Sequence, residues 1–256
     1  MKKRGSLSCE PYTALAAYYD RLNADIDYSA WADFLLRCFD RCGCRPALAL
    51  DLACGTGSMT LELAARGIEM IGSDLSCEML SEARSRAAEQ KKEILFICQD
   101  MCALDLYGTV DAVVCCLDSI NYLTAQRQLD ACFGGVRRYL NKGGVFVFDV
   151  NTPYKFSEIY GERDYILEED GVLCAWRNSY SPKSGFCRFD LSLFIEEKDG
   201  RYTRCDEVQH ERCWSMRTLK GALQRAGLTL EGVYGDYAFA PAADSDERWY
   251  FVCRRD

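Results

Sequence analysis

The chain has 256 residues, 49% of them apolar, and a formal net charge of −8. That length suits one large domain, or one domain with an inserted subdomain, and the apolar content excludes a disordered chain. The acidic balance argues against nucleic acid held by phosphate contacts, and no run approaches the roughly 20 apolar residues that span a bilayer. No apolar run follows Lys2-Lys3-Arg4, so a signal peptide is not expected and a cytoplasmic protein without membrane contact is the default.

From 33 to 42 apolar residues recur at helical spacing (Phe34, Leu35, Cys38, Phe39, Cys42), and Gly43 ends that helix. Residues 1–45 are read as an N-terminal helical cap. A strand over 47–52 leads into a glycine turn, and a helix over 58–66 is stopped by Gly67. A strand over 69–72 ends at Ser73-Asp74, and Ser76 is a good N-cap for the next helix. Strands follow at 94–98 and 112–116, then a helix over 125–140 broken by Gly143-Gly144, then a strand at 145–150. Strands alternating with helices predict an α/β fold with a parallel, doubly wound sheet.

After Asn151-Thr152-Pro153 the rhythm changes. Residues 164–214 lack a helical period and are broken by Asp170-Gly171, Pro182-Lys183-Ser184-Gly185 and Asp199-Gly200, which are hairpin signals. Leu191, Leu193 and Ile195 alternate as in a half-buried strand. The reading is an antiparallel meander over 154–214, inserted as a lid between a core of 1–153 and 215–256. A last helix, Met216–Ala226, stops at Gly227 before two strands near 228–234 and 249–253.

Sixteen cysteines and a single histidine stand out. There is no C-x-x-C pair, so neither a zinc site nor any other metal is expected, and most cysteines fall where free cysteine acts as a small hydrophobe.

The chemistry concentrates at Asp51-Leu52-Ala53-Cys54-Gly55-Thr56-Gly57-Ser58-Met59-Thr60. Glycine lets a ligand approach the backbone, and the helix behind offers unpaired N–H groups. A strand–glycine turn–helix unit binds a nucleotide-like cofactor at the carboxyl end of a sheet. The third glycine of a dinucleotide fingerprint is replaced by Thr60, and Asp51 would repel a pyrophosphate but suit a cationic ammonium or sulfonium. Asp74, at the end of the second strand, suits the hydroxyls of a ribose. His210 shares a strand face with Asp206, Val208, Arg212 and Trp214; if that face points into the cleft, the histidine is placed as a general base.

The D-x-x-C-G-T-G-x-x-T pattern resembles the first motif of class I S-adenosylmethionine (SAM) methyltransferases. Tyr18-Tyr19-Asp20, Asp27-Tyr28-Ser29-Ala30-Trp31, Asp118-Ser119-Ile120-Asn121-Tyr122-Leu123, the run from Phe148 to Lys155 and the run from Asp206 to Arg212 extend the likeness over nearly the whole chain. They resemble a bacterial small-molecule branch that includes sugar N,N-dimethyltransferases. The resemblance implies a Rossmann-like, seven-stranded, mostly parallel sheet with an inserted antiparallel β lid. It implies SAM as cofactor, held by Asp51, Ala53, Gly55, Thr56, Gly57, Asp74, Leu75, Met79, Asp100, Met101, Leu117 and Asp118. Asp100 and Met101 would meet the adenine, and Tyr19, with Trp31 nearby, would fold over the cofactor. Asn121, Tyr122 and His210 are the candidate catalytic residues, facing a small-molecule acceptor with an N or O nucleophile. The alternatives are an oxidoreductase, an RNA methyltransferase and a non-catalytic SAM-binding protein. The oligomeric state is left open.

Overall fold

The computed structural model describes residues 7–8, 12 and 15–256, and structural statements below refer to these. In chain order the helices are α1 Tyr19–Leu22, α2 Tyr28–Arg41, α3 Ser58–Ala65, α4 Cys77–Glu89, α5 Gln126–Tyr139 and α6 Met216–Ala226. The strands are β1 Leu7–Ser8, β2 Leu48–Leu52, β3 Glu69–Asp74, β4 Leu95–Cys98, β5 Val110–Cys115, β6 Leu140–Asn151, β7 Asp164–Glu169, β8 Val172–Ser181, β9 Phe186–Glu196, β10 Tyr202–Arg212, β11 Thr229–Tyr234 and β12 Arg248–Arg254.

Seven strands form one sheet in the order β11-β12-β6-β5-β2-β3-β4. Neighbours from β4 to β6 run parallel, and β12 runs against both β6 and β11. The central strands are apolar almost throughout because helices cover both faces. Alternation sends Leu50, Val113, Phe146, Phe148 and Phe251 to one side, where α5 and α6 pack. Ala49, Val114, Val147 and Val252 go to the other, against Trp31, Phe34, Leu35 and Phe39 of α2. The rings of Phe148 and Phe251 stack with centroids 4.7 Å apart.

The helix before the first sheet strand is longer than the apolar spacing indicates. It begins at Tyr28 because the Asp27 side chain accepts from the Ala30 N–H and caps it. Gly143 and Gly144 do not separate α5 from the next strand, which begins at Leu140. The β5–β6 register shifts between Val110 and Ala112, and a Cβ on Gly144 would lie 2.7 Å from the Asp111 carbonyl oxygen, so glycine permits a close backbone crossing within the strand.

The inserted sheet has the order β1-β10-β9-β8-β7, with β7–β10 an antiparallel meander and β1 added parallel to β10. Val172, Cys174, Leu191 and Leu193 form its apolar face together with Leu15. In β10 the inward residues are Cys205, Glu207, Gln209 and Glu211, which are buried, while His210 is exposed. The expected inward face of this strand is therefore the outward one. From Arg204 to Arg212 the even-numbered positions carry no apolar side chain except Val208, whereas in the buried odd set Glu207 accepts from the backbone N–H groups of Tyr12 and Leu15.

Gly57 stands in the left-handed region at φ 78°, and a Cβ there would lie 3.1 Å from the Cβ of Ala83 on α4. Gly57→Ala is expected to lower stability by about 1–3 kcal/mol, from left-handed strain of roughly 1–2 kcal/mol plus the crowding against α4. Urea unfolding measures it, and a loss below about half a kcal/mol would refute the assignment.

Candidate functional site

A cavity of 620 Å³ opens at the carboxyl end of the parallel strands, where they feed their loops. Tyr19, Asp51, Ala53, Gly55, Thr56, Asp74, Leu75, Met79, Asp100, Met101, Leu117 and Tyr122 all line it. Thus residues far apart in sequence, at the ends of β2, β3, β4 and β5, share one wall system.

The loop after β2 is built on left-handed residues: Ala53 at φ 58°, Gly55 at 53° and Gly57 at 78°. The Gly55 N–H donates to Asp74 at 2.8 Å, and the Ser76 N–H donates to the other oxygen of that carboxylate at 2.9 Å. These bonds oppose a larger effect of burial, which pushes the Asp74 carboxyl above its usual range.

Asp51 is buried and accepts from the Thr60 hydroxyl at 2.5 Å. Burial lifts its carboxyl to about 7, and the Thr60 bond only partly offsets this. A carboxyl balanced in this way ionises when a cation arrives beside it.

A carboxylate of the protein itself lies at the start of α3. Asp20 accepts from the hydroxyls of Thr56 and Ser58 at 2.8 and 2.9 Å, and pairs with Arg86 at 2.7 Å. A carboxylate therefore occupies the favourable end of the helix dipole, where a dinucleotide's pyrophosphate would otherwise sit.

Toward the inserted sheet, Tyr12 donates to the Tyr122 hydroxyl at 2.5 Å, and Tyr122 donates to Gln209 at 2.8 Å. Burial pushes the phenols of Tyr12, Tyr19 and Tyr122 well above their ordinary value, so all three stay neutral. At the end of β5, Leu117 and Asp118 are both left-handed, at φ 58° and 50°. Arg248 holds that turn by pairing with Asp118 at 2.8 Å and with Asp149, while Asp149 accepts from the Asp118 N–H.

Five expected site residues lie outside the cavity wall. Trp31 packs in the core against Tyr237 and Tyr250, because α2 turns Tyr28 rather than Trp31 toward the cavity. Gly57 faces Ala83 and Phe96, so its absent side chain serves helix packing. The Asp118 carboxylate is engaged by Arg248. Asn121 is fully buried, donating to the Arg212 carbonyl at 2.9 Å and accepting from the Asn151 N–H at 2.9 Å, so it ties the two sheets together. His210 is on the exposed face of β10, opposite Gln209.

The cavity also takes in residues the sequence reading missed: Tyr12, Tyr28, Gln99, Ser119 and Glu78. Tyr28 lies inside the segment whose pattern drew attention to Trp31, and Gln99 directly precedes Asp100. Tyr12 has no comparable signal. The Gln99 amide oxygen accepts from the Asp105 N–H, while its buried Nε2 has no partner among the described residues. An unpaired buried donor in the wall suits an acceptor on a bound molecule.

A family model described as a methyltransferase domain matches residues 49–144. YqeM of Bacillus subtilis (strain 168), a protein that carries a methyltransferase name, is 30% identical over 95% of this chain and 97% of its own length. The dTDP-3-amino-3,6-dideoxy-alpha-D-glucopyranose N,N-dimethyltransferase of Streptomyces fradiae is 28% identical over 82% of this chain and 80% of its own. The crystal structure of an S-adenosylmethionine-dependent methyltransferase from Clostridium acetobutylicum ATCC 824 superposes with a TM-score of 0.86 at 31% identity, covering 95% of this chain and 98% of that one.

The position of Asp51 has a measurable consequence. An aspartate in the unfolded chain ionises near 3.9, whereas Asp51 keeps its proton to about 7 in the fold. Between those values the folded state binds more protons, so this group's contribution is present at low pH and lost as pH rises to about 7. Asp51→Asn does not titrate, so its stability relative to the parent should rise by roughly 2–4 kcal/mol between pH 4 and pH 8. Urea midpoints across that range check this, and a pH-independent difference would contradict it.

Proposed function

The chain belongs to the class I SAM-dependent methyltransferases, and from that premise we propose that it transfers a methyl group to an amine nitrogen of a small-molecule acceptor in the cytoplasm. SAM is the cofactor, and it supplies an electrophilic methyl group on a sulfonium. The observation that carries the reading is the single cavity in which the ends of four consecutive parallel strands meet, with Asp51, Asp74 and Asp100 on its wall.

Asp74 accepts hydrogen bonds from the ribose hydroxyls, its own backbone donors holding the carboxylate in place. Asp100 and the buried Gln99 amide serve the adenine side, and Met79 and Met101 supply apolar surface. Asp51 and the loop at Ala53–Gly55 receive the cationic methionine part. Tyr19 covers the cavity from the N-terminal segment, and the inserted sheet closes the acceptor side through Gln209, which accepts from Tyr122 of the core.

The acceptor assignment rests on chemistry and on likeness. The tyrosines toward the inserted sheet are held neutral, and His210 is outside the cavity. A neutral amine offers its lone pair directly, whereas an alcohol must first lose a proton to a base. Rate acceleration then comes from alignment and exclusion of water rather than proton abstraction. The Streptomyces fradiae relative is named for N,N-dimethylation of an amino sugar. Tyr122 positions the acceptor amine, and its hydroxyl is fixed by the contacts to Tyr12 and Gln209.

Isothermal calorimetry with SAM, S-adenosylhomocysteine and NADH tests the donor site. SAM and its demethylated product are expected to bind while NADH does not, and binding of NADH alone would sink the reading. Asp74→Asn is expected to weaken SAM binding ten- to a hundredfold, by about 1.4–2.8 kcal/mol, through loss of charge-assisted bonds to the ribose. The acceptor is tested by incubating the protein with SAM and a panel of small amines and alcohols, with mass detection of the methylated product. Methylation confined to the alcohols would overturn the amine assignment.

A further inference from the structure

Two cysteines lie beside the cavity without entering it. Cys77 is the first residue of α4, directly after the N-cap Ser76. Cys98 is the last residue of β4 and the register partner of Asp74 on β3. Their sulfurs are 2.7 Å apart, and Cys98 Sγ also contacts the Leu75 carbonyl oxygen at 3.4 Å. Both residues are exposed, whereas most of the other free cysteines are buried. Oxidants in solution therefore reach this pair.

We propose that Cys77 and Cys98 form a reversible redox pair whose disulfide clamps the cofactor-binding edge of the sheet. The sulfurs need to approach by only roughly 0.7 Å to reach the bonded separation of about 2.05 Å. The oxidant is a low-molecular-weight disulfide such as glutathione disulfide. The Cys77 thiolate attacks one of its sulfurs, forming a mixed disulfide and releasing one small thiol. The Cys98 thiolate then attacks the Cys77 sulfur and releases the second. One S–S bond breaks as another forms, the two cysteines lose two electrons, and the small disulfide gains them.

The consequence depends on where the bond falls. Leu75 and Ser76 immediately precede Cys77, and Gln99, Asp100 and Met101 immediately follow Cys98; all five line the cavity. A covalent link between positions 77 and 98 fixes these two wall segments at their present separation. This rests on the reading that they hold the adenosine half of SAM. Preorganised walls bind more tightly and release more slowly. By linkage, bound SAM shifts the thiol–disulfide equilibrium toward the disulfide by the same factor.

The full-length protein is equilibrated in glutathione buffers of graded oxidised-to-reduced ratio and analysed by intact mass and peptide mapping. The expected result is a crosslinked peptide joining Cys77 to Cys98 whose formation follows one transition with loss of two hydrogens, scored apart from the disulfide already held by Cys205. SAM affinity and dissociation rate are then measured on the oxidised and reduced forms, with roughly three- to tenfold tighter binding and slower release expected on oxidation. Cys77→Ser and Cys98→Ser should each bind SAM like the protein reduced at this pair, with an affinity that oxidation at this pair no longer changes. Persistent mixed disulfides, absence of the Cys77–Cys98 crosslink, or equal SAM binding by both forms would overturn the proposal. Failure of the fully reduced protein to bind SAM would instead indict the donor-site reading, since crosslink formation is scored without the cofactor.

Discussion

The site depends on backbone forced into the left-handed region where strands end. Ala53, Gly55 and Gly57 after β2, and Leu117 and Asp118 after β5, all have positive φ. For the non-glycine residues this costs roughly 1–2 kcal/mol each, so the surroundings must over-determine the conformation. They do so with charge: Asp74 holds the Gly55 N–H, Asp149 holds the Asp118 N–H, and Arg248 joins Asp149 to Asp118. The strain is therefore offset by ionic contacts of limited exposure, and the cavity wall inherits their rigidity.

The N-terminal segment is the second organising element, because it bonds to both sheets. Backbone N–H groups of Tyr12 and Leu15 reach Glu207 on the inserted sheet. A few residues later Asp20 reaches Thr56, Ser58 and Arg86 on the core. Tyr12 and Tyr19 lie across the cavity between these anchor points. Carboxylates thus do the work at both ends of the strap, in keeping with a chain whose acidic surplus is partly spent internally.

Much of this was legible in the sequence, for identifiable reasons. The glycine turn and the acidic residues at strand ends follow from backbone sterics and from sheet topology, and both leave local patterns. Hence Asp51, Gly55, Asp74, Asp100 and Tyr122 stand in the cavity wall as their positions implied. The hairpins of the inserted sheet were equally visible in their turn residues. What was not legible was orientation. Period two assigns His210 and Gln209 to opposite faces but does not say which is inward; that was decided by Glu207 and Gln209 bonding to residues some 200 and 90 positions away. Trp31 and Asn121 were misplaced for the same reason, since a buried tie and a binding residue have the same side chain. Tyr12 and Arg248 act only through contacts distant in sequence, which no local pattern encodes.

Arg248 also sets an order of assembly. It belongs to β12, a strand that threads between β6 and β11. The turn at Leu117–Asp118 is made well before its clamp, which is translated 130 residues later. During translation the nascent chain thus has its donor-binding glycine turn long before it has a locked wall opposite. The turn is clamped only once β12 has been made and has inserted beside β6. A fragment ending before residue 248 would keep the sequence motif by which the family is recognised while lacking the clamp that holds the site together.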